Sequence, residues 1–255
     1  MKKTMLLQMS LFLKMKSNNF FSNIKSISLA ILIALIIRSF AAEPFNIPSG
    51  SMKPGLLVGD FIFVSKWSYG YSKHSLPFSL PIIPNRIFSK FPERGDVVVF
   101  KTPYDNKTDY IKRVIGLPGD KIKIINGQII INDNKIYKEK TENFIDVDKR
   151  GSKKRLRKYK EYFFNKEFEI LDIMDNGPVD NTQLYTVPKD HFFVMGDNRD
   201  NSQDSRFIRS VGYIPIDNLV GKAQYIFFSL ENSRFFEIWK WPKAIRYKRI
   251  IKKIQ

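Results

Sequence analysis

A chain of 255 residues, 43% hydrophobic and 27% charged, has enough apolar mass for a packed core and excludes bulk disorder or a fibrous repeat. With no cysteine and two histidines, disulfide scaffolds, thiolate metal sites, cysteine nucleophiles and three-histidine metal centres are excluded as well. The formal charge of +18 would suit nucleic acid, but its location argues otherwise: six basic residues precede Glu43 without an acid, eight fall in residues 149–160, seven fall in residues 240–255, and the remainder carries 22 basic against 25 acidic residues. No nucleic-acid partner is expected of such a body, and the basic segments read as membrane flanks or solvated loops.

Residues 1–19 form a basic N-terminus whose 5–15 stretch, MLLQMSLFLKM, is apolar but too short to cross a bilayer. It reads as a cytoplasmic or interfacial helix. Residues 20–42 follow, with the core SISLAILIALII flanked by Lys25 and Arg38. As a helix these 23 residues would reach about 35 Å, against a hydrocarbon core of about 30 Å. The excess of lysine ahead of them predicts a single-pass anchor with its N-terminus in the cytoplasm and the chain from Glu43 onward exported. A cleaved signal peptide is the alternative, since Ser39, Ala41 and Ala42 are small; the long basic region before the apolar core speaks against it.

Beyond Ala42, short β-branched and aromatic runs alternate with Gly, Pro, Asn and Asp. Strands are predicted at 60–65, 96–101, 110–115, 121–125 and 128–131 across an Asn126-Gly127 turn, 191–195 and 223–228. With no long stretch of helical period before the tail, the fold class is mainly β: a transmembrane helix followed by an antiparallel β domain over 43–255, of sandwich or barrel type. Residues 121–188 are more polar and broken by the basic run, and they read as an inserted, smaller β-rich region with tolerant loops. The tail, 237–255, sets Trp239 and Trp241 among lysines. Either a lipid-facing segment or a solvated C-terminal helix fits it.

Three segments have the composition of chemistry. Ser49, Gly50 and Ser51 lie between Pro48 and Pro54, a tight turn able to present a hydroxyl and equally able to be a plain surface turn. It is neither a Gly-x-Ser-x-Gly elbow, because Lys53 takes the last place, nor Ser-x-x-Lys, because Pro54 does. A serine needs a base, and neither His74, in a proline-rich stretch, nor His191, at the head of an apolar run, frames a triad. A buried lysine can serve, because desolvation disfavours its charged form. Lys112 is the candidate, on a strand face with Tyr110 and Val114 and opposite Ile111 and Arg113; a solvated, outward lysine would fit the same strand. The third segment, GDNRDNSQDSR at 196–206, follows the apolar HFFVM. It is not an EF-hand, because Arg199, Ser202 and Ile208 stand at its third, sixth and twelfth places. An ion-paired loop that orients side chains from neighbouring strands remains. The turn at 116–120, GLPGD, could anchor one end of the Lys112 strand.

Taken in order, PSGSMKP (48–54), GDFIFV (59–64), RGDVVVF (94–100), DYIKRVIGLPGD (109–120) and GDNRDNSQDSR (196–206) resemble the bacterial type I signal peptidases. The resemblance implies a membrane-bound serine endopeptidase that removes N-terminal signal peptides from exported preproteins through an acyl-enzyme. Ser51 would be the nucleophile and Lys112 its general base. Ser49 and the backbone N–H of Ser51 would form the oxyanion hole. Ser202 would orient the Lys112 amine, and Asp204 would pair with Arg206, with Arg113 as a further partner, to hold the loop. The implied cleavage follows small residues of Ala-x-Ala type, in shallow pockets walled by Phe45, Ile47, Met52, Leu56, Ile62, Val99, Tyr110 and Ile111, each of which would equally suit ordinary core. No metal and no cofactor is implied. Partners would be signal peptides, membrane lipid and the secretion machinery, with the enzyme itself a monomer. Its place would be the bacterial cytoplasmic (inner) membrane, with the catalytic domain, 43–255, on the periplasmic side. Ser51 lies nine residues beyond Ala42, so the site stays within about 30 Å of the bilayer. Many relatives have two membrane segments, and one is readable here. A Ser/Lys protease that cleaves itself or a regulator, and an inactive membrane-anchored scaffold, are the rival readings; the joint presence of Ser49, Ser51, Lys112 and Ser202 opposes the scaffold.

Overall fold

The structure, a computed structural model, describes residues 23–36, 38–76, 79–147, 151–233 and 235–255. The N-terminal 1–19 region with its 5–15 stretch, residues 20–22 of the expected span, and Lys149 and Arg150 lie outside the described residues. Helix α1 (Asn23–Phe40) is long and apolar enough to cross a membrane, with 6% of its apolar window buried by the rest of the protein. Ile27, Leu29, Ile31 and Leu32 are all more than half exposed, a continuous apolar surface that lipid would cover. The helix stops two residues short of the expected end of the span. Strand β1 (Ala42–Asn46) begins there, because pairing with a neighbouring strand satisfies its backbone groups. Glu43 fixes the junction by accepting from Arg38 at the helix end and from the buried Lys66, 2.9 Å away.

The chain continues through β2 (Asp60–Ser65), β3 (Val97–Lys101) and β4 (Asp109–Gly116). A second region then supplies β5 (Lys121–Ile125), β6 (Gln128–Ile131), β7 (Asn134–Lys135), β8 (Tyr137–Lys140), β9 (Phe144–Val147), β10 (Lys153–Leu156), β11 (Lys158–Phe163), β12 (Lys166–Leu171) and β13 (Tyr185–Thr186). The path returns through β14 (His191–Met195), β15 (Ile214–Pro215), β16 (Leu219–Ser229) and β17 (Lys252–Lys253). An antiparallel eight-stranded sheet runs β1-β2-β16-β3-β4-β14-β15, with β17 on β16. The intervening region forms sheets ordered β13-β5-β6-β7 and β12-β11-β8, and a β9-β10 hairpin. Asn126 and Gly127 turn β5 into β6 with φ of 49° and 70°, the backbone a two-residue hairpin demands.

Strand β3 is apolar from Val97 to Phe100 because both of its faces are covered there. Val97 and Val99 join Ile47, Met52, Leu56 and Ile62 in one cluster, while Val98 and Phe100 join Val114, Phe192 and Val194 in another. A third cluster unites Ile122, Ile129, Phe163 and Ile170 with Ile115, Phe193 and Met195 of β4 and β14. The region between β5 and β13 therefore shares a core with the main sheet. Each such fully buried side chain contributes about 1.5–3 kcal/mol.

Two expectations are corrected. The described part of the basic run is mostly strand rather than loop, with Lys153, Lys154 and Arg155 of β10 exposed and the rest ion-paired: Lys158 meets Glu169 at 2.6 Å, Lys160 meets Glu167 at 2.8 Å and Arg157 meets Asp175 at 2.9 Å. Alternation explains it, since the lysines of β11 face outward and Glu161 and Phe163 are buried. The tail is not a solvated helix either. Its α2 (Trp241–Ala244) has four residues; Trp241 packs on Phe228 and Phe235 at 5.0 and 5.5 Å between ring centroids. Arg249 donates to buried Asp60 at 2.5 Å, with Arg246 at 3.6 Å. Asp60→Ala is expected to cost about 3 kcal/mol by leaving both guanidinium groups without their carboxylate. A lowered urea midpoint reads this loss, and an unchanged midpoint would contradict it.

Candidate active site

The segment from Ile47 to Gly59 joins β1 to β2 and is held at both ends by Ile47 N–H to Asp60 O, 2.9 Å, and Gly59 N–H to Ile47 O, 3.0 Å. Met52 and Leu56 sink into the core at 1% and 2% exposure, which leaves Ser49, Gly50 and Ser51 at its rim. Asn198, after β14, clamps this turn: its N–H donates to Ser51 O and its Nδ2 to Gly50 O, both at 3.0 Å. Gly196 makes the approach possible. A Cβ there would lie 2.6 Å from Ser51 O and 2.2 Å from Ser202 Oγ.

Lys112 stands on β4, paired with Val98 of β3, and is 4% exposed. Its Nζ donates to Ser51 Oγ at 2.6 Å and lies 5.3 Å from the centre of the Tyr110 ring. Ser49 Oγ is 3.4 Å from Ser51 Oγ. Burial pulls the amine down to about 8, against the opposing pull of Asp204 and Asp197, while Arg206 adds to the lowering. At pH 7 that leaves about one amine in ten neutral, against about three in ten thousand for a free lysine. A hydroxyl and a desolvated amine at this distance can exchange a proton.

Both acids near Lys112 are committed elsewhere. Asp204 is wholly buried, and although burial opposes it, Arg206 and the Gly196 N–H hold its carboxyl below the usual range. Arg206 reaches it through Nε at 2.8 Å and Nη2 at 2.9 Å. Arg113 pairs with Asp197, at 2.7 and 2.6 Å, and not with Asp204 as expected. The reason is strand alternation: Arg113 leaves β4 on the face opposite Lys112 and lies 3.8 Å over the Phe168 ring. Ser202 lies buried beside Gly196 and Asp204 and helps to hold the Asp204 carboxyl low, but its Oγ makes no hydrogen bond to Lys112.

The remaining expected residues separate. Ile47, Met52, Leu56, Ile62 and Val99 are at most 2% exposed; Phe45 and Ile111 sit half-buried on the edge of their cluster, and Tyr110 packs on a different one. Of the expected walls, only Phe45, Tyr110 and Ile111 keep accessible surface. Lys53 is engaged by Asp146 at 2.5 Å. His74 lies against Ser79 and is lowered to about 4 by burial, and His191 binds Lys189 O; neither touches Ser51. Asp172, Asp180 and Asp200 bring carboxylate oxygens within 4.8 Å of one another, and the Lys138 ammonium already occupies Asp172. Sequence reasoning gave no separate role to Asp197 or Asn198. The run Asp197-Asn198 just after a buried strand was the available signal for both.

A family model described as "Signal peptidase, peptidase S26" matches residues 20–228. The chain is 41% identical over 248 residues to a Signal peptidase I of Rickettsia typhi, spanning 90% of this chain and 92% of that protein. To a Signal peptidase I of Rickettsia bellii it is 40% identical over 247 residues, spanning 90% and 84%. A solved signal peptidase I from Enterococcus faecalis overlaps 52% of this chain and 97% of its own at 25% identity, with a TM-score of 0.30, too low to bear on the fold.

The buried amine has a cost that can be measured. With a folded value near 8 and an ordinary value of 10.5, the unfolded chain binds the extra proton between these pH values, so stability rises with pH across that window and is lower below it by up to about 3 kcal/mol. Lys112→Met keeps the volume without this cost. It is expected to unfold at a higher urea concentration than the parent at pH 7, with the difference closing toward pH 10.5. A lower midpoint for the variant at pH 7 would contradict the lowered amine.

Proposed function

The chain belongs to the signal peptidase family, peptidase S26, a family of hydrolases that remove signal peptides, and from this premise we propose that Ser51 and Lys112 carry the cleavage. Neutral Lys112 takes the Ser51 proton as Oγ attacks the scissile carbonyl. The oxyanion is met by the Ser51 N–H and the Ser49 hydroxyl, donors of a kind worth about 3 kcal/mol each. Collapse releases the leaving amine, protonated by Lys112, and leaves a Ser51 ester. Lys112 then deprotonates water, which attacks that ester; the second collapse frees the new carboxyl end, and Lys112 returns the proton to Ser51 Oγ. No step requires a metal or cofactor.

The observation that carries this reading is the 2.6 Å contact between Lys112 Nζ and Ser51 Oγ, made by an amine with no carboxylate partner. Substrates are signal peptides of exported preproteins, cut after small residues of Ala-x-Ala type against Phe45, Tyr110 and Ile111, where a large side chain would collide. Helix α1 serves as the anchor, with lipid around it and residues 43–255 on the outer side as one catalytic domain that includes the 121–188 insertion and the 237–255 tail. The nine residues from Ala42 to Ser51 hold the serine close to the bilayer, where a membrane-embedded leader ends.

Incubation of a purified Ala-x-Ala preprotein in detergent with the parent and with Ser51→Ala tests the nucleophile. Cleavage after the second alanine is expected from the parent alone, and cleavage by Ser51→Ala would contradict the assignment. The parent's kcat is expected to climb about tenfold per pH unit below a midpoint near 8 and to level off above it. A profile flat from pH 6 to 9 would remove Lys112 as the base.

A further inference from the structure

Glu161 occupies a place where an apolar residue would be ordinary. It stands on β11 beside the buried Phe163, on the strand face that joins the third core cluster, and is 0% exposed. Its partner is Arg199, itself 5% exposed, which donates Nη1 to Oε1 at 2.7 Å and Nη2 to Oε2 at 2.5 Å. Taking two charges out of water is costly and is repaid only by good geometry, but a bidentate fork fixes orientation as an apolar contact does not.

What the fork orients is the loop from Gly196 to Arg206. Arg199 O accepts from Arg206 Nη2 at 2.5 Å, and Arg206 grips Asp204 through two nitrogens. The same region of the chain reaches this loop at three other points. Leu171 N–H donates to Asp197 O at 2.8 Å. Asp200 Oδ2 accepts from Ile173 N–H at 2.6 Å and Met174 N–H at 2.9 Å. Tyr185 Oη donates to Arg206 O at 2.9 Å.

We propose that Glu161 is a positioning residue for the reaction: through Arg199 and Arg206 it fixes Asp204 beside Lys112, so that the strands between β5 and β13 form part of the apparatus that keeps this amine dry and aimed at Ser51. The inference rests on the Ser51–Lys112 reading. Lys112 is faced by Ser51 from the serine turn, by Tyr110 on its own strand, and by Asp197, Asp204 and Arg206 from the loop after β14; its partner on β3, Val98, is uncharged. Loosening that loop weakens the upward pull of Asp204 but also admits water to the amine, and because burial is the largest influence on Lys112 the net effect is that it binds its proton more tightly. The rate falls at neutral pH and recovers at high pH.

The test measures kcat and KM from pH 6 to 10 on an Ala-x-Ala preprotein, with the full chain in detergent, for the parent, Glu161→Gln and Ser51→Ala. For Glu161→Gln the midpoint of the kcat profile is expected to rise by about one unit, with kcat at pH 7 about tenfold lower and KM within about twofold. Because this variant strands Arg199 without a counter-charge, Glu161→Met/Arg199→Met, which removes both charges at similar volume, is measured beside it and is expected to have the same raised midpoint. A parental midpoint in either folded variant overturns the proposal, whether kcat is unchanged or falls only with the folded fraction. Cleavage by Ser51→Ala overturns it differently, by removing the reading beneath it, and is distinguishable because it does not depend on Glu161.

Discussion

A lysine amine held in the interior with a serine hydroxyl as its partner, and with both nearby carboxylates bound to arginines, is the arrangement on which the rest of this molecule depends. Asp204 and Asp197 each pull the Lys112 proton affinity upward, since an opposite charge favours the charged form. Their charge is already shared with Arg206 and Arg113, which take the two carboxylates bidentately. Burial then dominates, and the amine falls to about 8. The arginines thus act on the chemistry by occupying acids rather than by meeting substrate.

The β architecture makes that arrangement rigid. Strand β4 lies between β3 and β14 and offers alternate faces, so Lys112 and Arg113 are neighbours in sequence yet act on opposite sides of one sheet. The serine turn is pinned from below by Met52 and Leu56 in the core and from the side by Asn198. Apolar clusters on both faces of β3 offset the expense of an interior lysine.

Much of this was legible in the sequence. The strands at 60–65, 121–125, 128–131 and 191–195 are read at their observed bounds because alternation and turn residues act locally. Ser51 and Lys112, set 61 positions apart, are brought together as the motif resemblance implied. Arg113 found Asp197 rather than Asp204 because the choice between two acids in one loop depends on which side of β4 the loop closes, a tertiary fact absent from local pattern. Glu161, in KYKEYF, looks like one charge among several on a solvated edge, and only the packing of β11 against the core reveals its burial. The tail stayed open between two readings for a similar reason: Trp241, Arg246 and Arg249 have partners at Phe228 and Asp60, and Asp60 is far away in sequence.

The most direct measurement is titration of the Lys112 side-chain nitrogen itself by NMR, with 15N-lysine protein in detergent micelles and Lys112→Met to assign the signal. A midpoint near 8 is the expected result and would place a usable base at Ser51. A midpoint at or above the ordinary lysine value of about 10.4 would mean that the amine is charged at working pH, and the arrangement described here would not deprotonate the serine.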